Sequence, residues 1–365
     1  MDDLLYKVAL TRIPQVGPLL AQQLVAYCGG PAAVFQATAR ELRRVPGIGE
    51  QRARFIAGGD ALQLAEAELG LLEQHGIDFL FFLDDHYPER LRSLPNAPLA
   101  LYYKGAVSLN HLRTVGVVGT RKPSAFGVAA TEQLIEGLQA YQPLIISGLA
   151  YGIDGAAHRH ALQQGLPTLG VLGHGLGHLY PAAHRRLAQD MLEQGGLLTE
   201  FPFFTKPERE FFPMRNRIVA GLCDALVVVE SPREGGSIIT AEMANNYHRD
   251  VFAFPGRVHE KVSEGCNWLI KTHRASLIES AEDLAQLLRW ESPVESQEQQ
   301  LSLFDCLSEE EKVIVDLLRA NDKLHIDRLT YESRMPSAAL AAVLLNLECQ
   351  GLVKVLPGKR YVLVR

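Results

Sequence analysis

The stretch 114–127 constrains the fold of this chain more than any other. The apolar run Thr114-Val115-Gly116-Val117-Val118 leads into Gly119-Thr120-Arg121-Lys122-Pro123-Ser124-Ala125-Phe126-Gly127, and a helical pattern continues to Tyr141. A strand delivers the chain into a tight loop and a helix leaves it. That geometry aims the free N–H groups of a helix N-terminus at one spot, where an anion is favoured. Arg121 adds a planar cation whose fork of donors suits a pair of phosphate oxygens. Gly119, Arg121 and Ser124 are therefore candidate phosphate contacts. The plainer reading is a strand–helix turn with Ser124 as its N-cap.

The same alternation recurs from Gly76 to about Trp290. Apolar runs at 79–83, 99–103, 114–118, 143–147, 167–172, 197–200, 225–229 and 250–254 read as strands, and amphipathic stretches separate most of the later ones. Continuous Val/Ile/Leu runs mark strands buried on both faces, as in a parallel sheet. The expected fold class is α/β, a Rossmann-like, doubly wound, mostly parallel sheet in which ligands bind beyond the carboxyl ends of the strands.

Two smaller modules flank it. Residues 1–70 carry two glycine turns between helical patterns, Ile13-Pro14-Gln15-Val16-Gly17-Pro18 and Val45-Pro46-Gly47-Ile48-Gly49. They read either as helix-hairpin-helix units of the SAM-like kind or as a small helical packing domain. Residues 291–304 are polar and read as a linker. Within 305–365, helices are expected at 308–320, 326–332 and 337–350, the first opened by a capping box of Ser308 and Glu311. A hairpin around Pro357-Gly358-Lys359 completes a winged helix. The domains are thus expected at 1–70, 71–290 and 305–365.

Composition narrows the class. The 365 residues are 47% hydrophobic and 21% charged, which is ordinary globular usage. Five scattered cysteines suggest reduced thiols, with neither a disulfide framework nor a metal site. Met1-Asp2-Asp3 does not open a signal peptide and no apolar run is long enough to span a bilayer, so a cytoplasmic protein with no membrane contact is expected. A net charge of −6 disfavours indiscriminate polyanion binding, yet screening over about 10 Å permits a local basic patch.

Three further strand ends join the Arg121 loop. In Ser147-Gly148-Leu149-Ala150-Tyr151-Gly152-Ile153-Asp154, Ser147 and the Gly148 amide are placed to donate to a phosphate. Asp154 and His158, four apart on a helix, read as a structural tie. Lys206 to Arg217 mixes cations with aromatics, the combination that tracks a single strand. If a helix starts at Arg215, then Arg215 and Arg217 project about 200° apart. One then faces the groove and the other pins the fold. Phe212 reads as a stacking ring or as a core residue. At Gly235-Gly236-Ser237, glycines and a hydroxyl at a helix start again suit a phosphate, with Gly236 and Ser237 as the contacts.

With these residues in place, the chain resembles the DNA-processing protein A family (DprA, also called Smf). The likeness rests on Val118–Gly127, Ser147–Leu162, Tyr180-Pro181, Phe212–Leu222, Gly236–Ala241 and Phe254–Gly256, and it covers about 76–290. It implies a cytosolic bacterial protein, without a catalytic step or cofactor, that binds and protects incoming single-stranded DNA. It also implies loading of the RecA recombinase in natural transformation and homologous recombination, and a homodimer formed through the Rossmann-like domain. By motif, Arg121 matches the arginine of the family's Gly-Ser-Arg loop, with Thr120 in place of its serine. Arg209 falls where a DNA-contacting lysine is placed, Phe212 where an aromatic stacks on a base, and Arg215, Asn216 and Arg217 match the Arg-Asn-Arg signature. After Tyr180-Pro181 this chain has Ala182 where a lysine is frequent; His184, Arg185 and Arg186 are the possible substitutes. Arg274, where a glycine is common, falls outside the candidate site.

Two other functions compete. Gly235-Gly236 with Glu242 resembles the loop of nucleoside-monophosphate phosphoribohydrolases of the same broad fold, but Ile238 and Ile239 replace its second glycine and its threonine. Bulky β-branched residues there obstruct the approach to a ribose phosphate. A duplex-DNA regulator is disfavoured because the 337–350 helix contains no Lys or Arg. The winged helix is expected to contact protein instead.

Overall fold

The computed structural model describes residues 2–290, 307–321, 323–350, 352–356 and 360–363. The chain separates into two compact units, 1–290 and 291–365. The expected linker and the tip of the expected hairpin, 357–359, lie outside the described residues.

The first unit opens with six helices: α1 (Asp2–Thr11), α2 (Pro18–Cys28), α3 (Pro31–Gln36), α4 (Ala39–Leu42), α5 (Glu50–Ala57) and α6 (Asp60–His75). Both glycine turns fall between helices. Gly17 caps α2 with Pro18 at its first position, where a missing N–H costs nothing. Gly47 takes φ +85° and Gly49 caps α5. Leu10, Leu24, Leu42 and Ile56 form a buried core that also takes in Phe81 and Ala100 from the sheet and the adjoining Leu99. Buried Glu68 of α6 accepts the Phe203 amide at 2.7 Å, a second tie to the α/β body.

A nine-stranded sheet follows. Its strands are β1 (Asp78–Phe81), β2 (Ala100–Gly105), β3 (Thr114–Val118), β4 (Leu144–Ser147), β5 (Thr168–Val171), β6 (Gly196–Thr199), β7 (Ala225–Val228), β8 (Asp250–Ala253) and β9 (Ser276–Leu277). Their order is β1-β2-β6-β5-β4-β3-β7-β8-β9. β1, β2 and β6 pair antiparallel, and every pairing from β6 through β9 is parallel. Helices α7 (Glu89–Arg92), α8 (Ala125–Gly137), α9 (Ile153–Gln163), α10 (Arg185–Gln194), α11 (Phe211–Leu222), α12 (Gly236–Asn246), α13 (Glu264–Lys271) and α14 (Ala281–Leu287) complete the unit. All eight expected strands are present; β9 is additional.

The strands are buried because both faces are covered. Val115 and Val117 of β3 pack with Leu134 and Ile135 of α8 and Ala157 of α9. Val118, one residue on, packs with Ile218, Val219 and Leu222 of α11. The alternation follows from the two-residue period of a strand, and each such side chain contributes about 1.5–3 kcal/mol on burial. From β3 the chain moves outward through β4, β5 and β6, then returns to the other flank of β3 as β7. That reversal opens a crevice past the strand ends at β3 and β7, the position where open α/β sheets bind ligands.

The second unit contains α15 (Glu309–Ala320), β10 (Leu324–His325), α16 (Ile326–Ser333), α17 (Ser337–Cys349), β11 (Val353–Leu356) and β12 (Arg360–Leu363). Its sheet has the order β10-β12-β11, giving three helices and a β-wing. The Ser308–Glu311 capping box is formed in both directions, at 2.9 and 3.2 Å.

Candidate nucleic-acid interface

Three loops are laced together at the crevice. The Thr120 N–H donates to the Glu230 carbonyl at 2.7 Å, and the Ile153 N–H donates to the Thr120 carbonyl at 3.2 Å. Gly152, at φ +82°, lies so close to the Thr120–Arg121 backbone that a Cβ there would overlap it. Gly119 is confined in the same way between Ile153 and the Glu230 carbonyl. The loops after β3, β4 and β7 therefore act as one rim.

The N-terminus of α8 is already occupied by an acid from within the chain. Glu230, 2% exposed, accepts the Ser124 amide at 2.8 Å and the Ser124 hydroxyl at 2.6 Å. Ser124 in turn caps α8 by accepting the Gly127 amide at 3.2 Å. A buried carboxylate sits where the phosphate was expected, and the Ser124 hydroxyl is committed to the N-cap and to Glu230. Ser147 is likewise committed within the fold: fully buried, its hydroxyl donates to the Val117 carbonyl at 2.6 Å. Neither residue lines the groove.

Nine of the twelve candidates do line it: Gly119, Arg121 and Gly148 on the β3 and β4 loops, Arg209, Phe212, Arg215 and Asn216 on and before α11, and Gly236 and Ser237 on α12. Helix α11 starts at Phe211, four residues ahead of Arg215, so Phe212, Asn216 and Val219 fall on one face toward the groove. Phe211 turns inward onto Phe201, with ring centres 4.5 Å apart. Arg121, exposed, places its guanidinium carbon 5.7 Å from the Phe212 ring centre. Tyr180, not among the candidates, also neighbours that ring, with ring centres 5.9 Å apart. Its signal was an aromatic beside Pro181 after β5. Exposed Lys122 and Arg209 extend the positive rim.

Arg215 and Arg217 divide as their angular separation requires. Arg215, 5% exposed, lies under the groove floor against Gly148 and Asp154 and donates to the Val171 carbonyl at 2.8 Å. Its buried Nε–H meets no acceptor among the described residues. Arg217 points away from the groove. It ion-pairs with Glu200 and donates to the Asn96 carbonyl at 2.8 Å. Of the two arginines, Arg217 is the one tied into the fold. Burial raises the Glu200 carboxyl's pKa against the opposing pull of Arg217.

Asp154 and His158 do not pair with each other. The His158 Nε2–H donates to the Gly148 carbonyl at 2.5 Å, leaving Nδ1 to accept from the Thr168 hydroxyl at 2.6 Å. Burial pushes the imidazole down to about 4, so it stays neutral. Asp154 is raised by burial, with Arg215 as the main opposing charge. At α12, Gly235 supplies no side-chain cap, and exposed Gly236 opens that helix end to the groove. The Ser237 hydroxyl is turned inward, donating to Ser231 Oγ at 2.7 Å. Among the possible substitutes for the lysine absent at Ala182, His184 is buried with Nδ1 3.1 Å from the Leu149 carbonyl. Arg185 and Arg186 are exposed at the start of α10, outside the groove lining.

The DNA recombination-mediator protein A family matches residues 78–289, the span that holds the sheet and the whole groove rim. The chain belongs to that family. The flanking modules of this DprA family member agree: a SAM-like helix-hairpin-helix tandem matches 8–57, and the DprA winged helix domain matches 295–359. It is 31% identical to protein Smf of Synechocystis over 392 residues, covering 98% of each chain. Protein Smf of Escherichia coli is 34% identical over 336 residues, covering 90% of this chain and 86% of that one. The structure of DprA from Streptococcus pneumoniae superposes with a TM-score of 0.69 at 33% identity, over 77% of this chain and 97% of that one. A structure of DprA from Helicobacter pylori, described for its single-stranded DNA binding mode, covers 58% of this chain and 95% of that one, with a TM-score of 0.53 at 27% identity. Among the described residues, no helix is long and apolar enough to cross a membrane.

Proposed function

We propose that this protein binds the sugar-phosphate backbone of single-stranded DNA along the groove. One observation carries the reading: Arg121, Lys122 and Arg209 meet Phe212 and the open end of α12 on a single rim. The cations neutralise phosphates, the α12 amides donate to a phosphate oxygen, and Phe212, flanked by Tyr180, presents a ring to a base. Because Glu230 fills the end of α8, the anion-binding helix end of this groove is that of α12. Arg215 reaches the groove from below, balanced by Asp154. Family membership extends the reading to protection of incoming strands and delivery to RecA in transformation and recombination, by a cytoplasmic homodimer.

A gel shift with single- and double-stranded oligonucleotides of equal length tests it. Preferential retardation of the single strand, weakening with salt at a slope of roughly −0.7 per phosphate contact, is expected. Equal or stronger binding of the duplex refutes it. The phosphoribohydrolase reading finds little support. Glu242 ion-pairs Arg274 at 2.8 Å outside the groove, and Ile239, 44% exposed, forms part of the groove wall. Nucleoside monophosphates should release no free base.

A further inference from the structure

The loop that carries the α12 end has a second face. Pro232 and Gly235 line the groove, whereas Arg233 between them turns onto α13 and sets its guanidinium carbon 3.4 Å from the ring centre of Trp268. Arg274 lies over the same ring at 4.7 Å and is held by Glu242. The loop and α13 are locked together: the Gly265 N–H donates to the Ser231 carbonyl at 2.8 Å, and Gly265 leaves no room for a Cβ against Pro232. Arg233 is exposed and has no carboxylate partner among the described residues, while Trp268 is half-buried behind it. Glu242 pairs with Arg274, and Glu234 directly follows Arg233 in sequence, so a net field is not what the cluster offers. It offers a flat, delocalised plate backed by an indole.

Resting on the single-strand reading above, we propose that Arg233, seated against the Trp268 ring, is a second base-stacking platform for the strand leaving the groove across the α12 end. A guanidinium plane stacks on a nucleobase as an aromatic ring does. A ring-backed arginine loses little side-chain freedom on doing so. The bound strand then extends past the Phe212 contact by the breadth of the glycine loop, and short oligonucleotides confined to the groove do not reach it.

The test uses the full chain and oligodeoxythymidines stepped from about 4 to about 16 nucleotides, the range of single-strand site sizes. Arg233→Ala is expected to weaken the longer strands about five- to tenfold and leave the shortest unchanged. Arg233→Lys, which keeps the charge and removes the plane, should weaken the longer strands similarly. The chain has two tryptophans. In a Trp290→Phe background the emission of Trp268 should change when long strands bind and stay constant with short ones. Thermal unfolding of each variant verifies folding; Arg233 is exposed, so little change is expected. Wild-type affinity of Arg233→Ala at every length, full affinity of Arg233→Lys, or silent Trp268 emission with tight binding overturns the proposal. Failure of the wild type to bind any single strand overturns the reading beneath it instead.

Discussion

Arg121 is exposed, lies over Phe212 and makes no ion pair among the described residues, so its charge is available to a ligand. Replacing it by Ala should weaken single-strand binding about tenfold or more, the scale of a charge-assisted hydrogen bond. The loss should be equal on all sequences, because backbone contacts carry no base information; filter-binding isotherms on homopolymers check this. Arg217 should behave oppositely. With Arg217 and Glu200 only 13% and 11% exposed, Arg217→Ala strands a buried acid and should cost about 3–5 kcal/mol in denaturant unfolding, while folded protein keeps its affinity. The identity of these arginines was legible from the Arg-Asn-Arg spacing. Which one faces the groove was not, since two residues of one helix differ only in angle and the sequence does not show where the sheet lies. Glu230 was invisible for a related reason. Its partner Ser124 is 106 positions away, so the acid that fills the α8 end appears only after β7 is placed beside β3.

At the scale of elements, the eight longer strands were legible because burial on both faces leaves uninterrupted Val/Ile/Leu runs. β9 was not, since two residues on a sheet edge show no periodicity. Helix α11 begins earlier than its arginines suggested, which moves Phe212 from a loop onto the groove face. The i, i+4 spacing of Asp154 and His158 also misled, because the neighbouring strands offered His158 better partners. That imidazole ties α9 to the β4 loop and to β5, and it is held neutral down to about pH 4, against an ordinary value near 6.5. Between those values the unfolded chain binds a proton that the folded chain refuses. The contribution is therefore complete above about pH 6.5 and lost as pH falls toward 4, at no more than about 1.4 kcal/mol per pH unit. Urea unfolding across that window should show the slope, and His158→Asn should flatten it while lowering stability at neutral pH.

For the whole molecule, a net charge of −6 means that affinity for a polyanion must come from a patch, and the rim of the crevice supplies one. The second unit carries as many acidic as basic residues over 305–365, and α17 contains no Lys or Arg. Its removal should leave most single-strand affinity intact, as measured by anisotropy on the shortened chain; it forms a separate compact unit, so the rest should fold. In a dimer, two grooves on one particle would bind a long strand by avidity without any new contact. The separate winged-helix unit was legible from composition and turn chemistry, whereas the packing of the helical module onto the α/β body through Phe81 and Leu99, which makes 1–290 one compact unit, was not. The most direct test is photo-crosslinking of a bromouracil-substituted single strand to the full chain, with the modified peptides identified by mass spectrometry. Adducts at Phe212 and Tyr180, lost on Arg121→Ala, are predicted. Adducts confined to the N-terminal helices or to residues 307–363 would contradict the account.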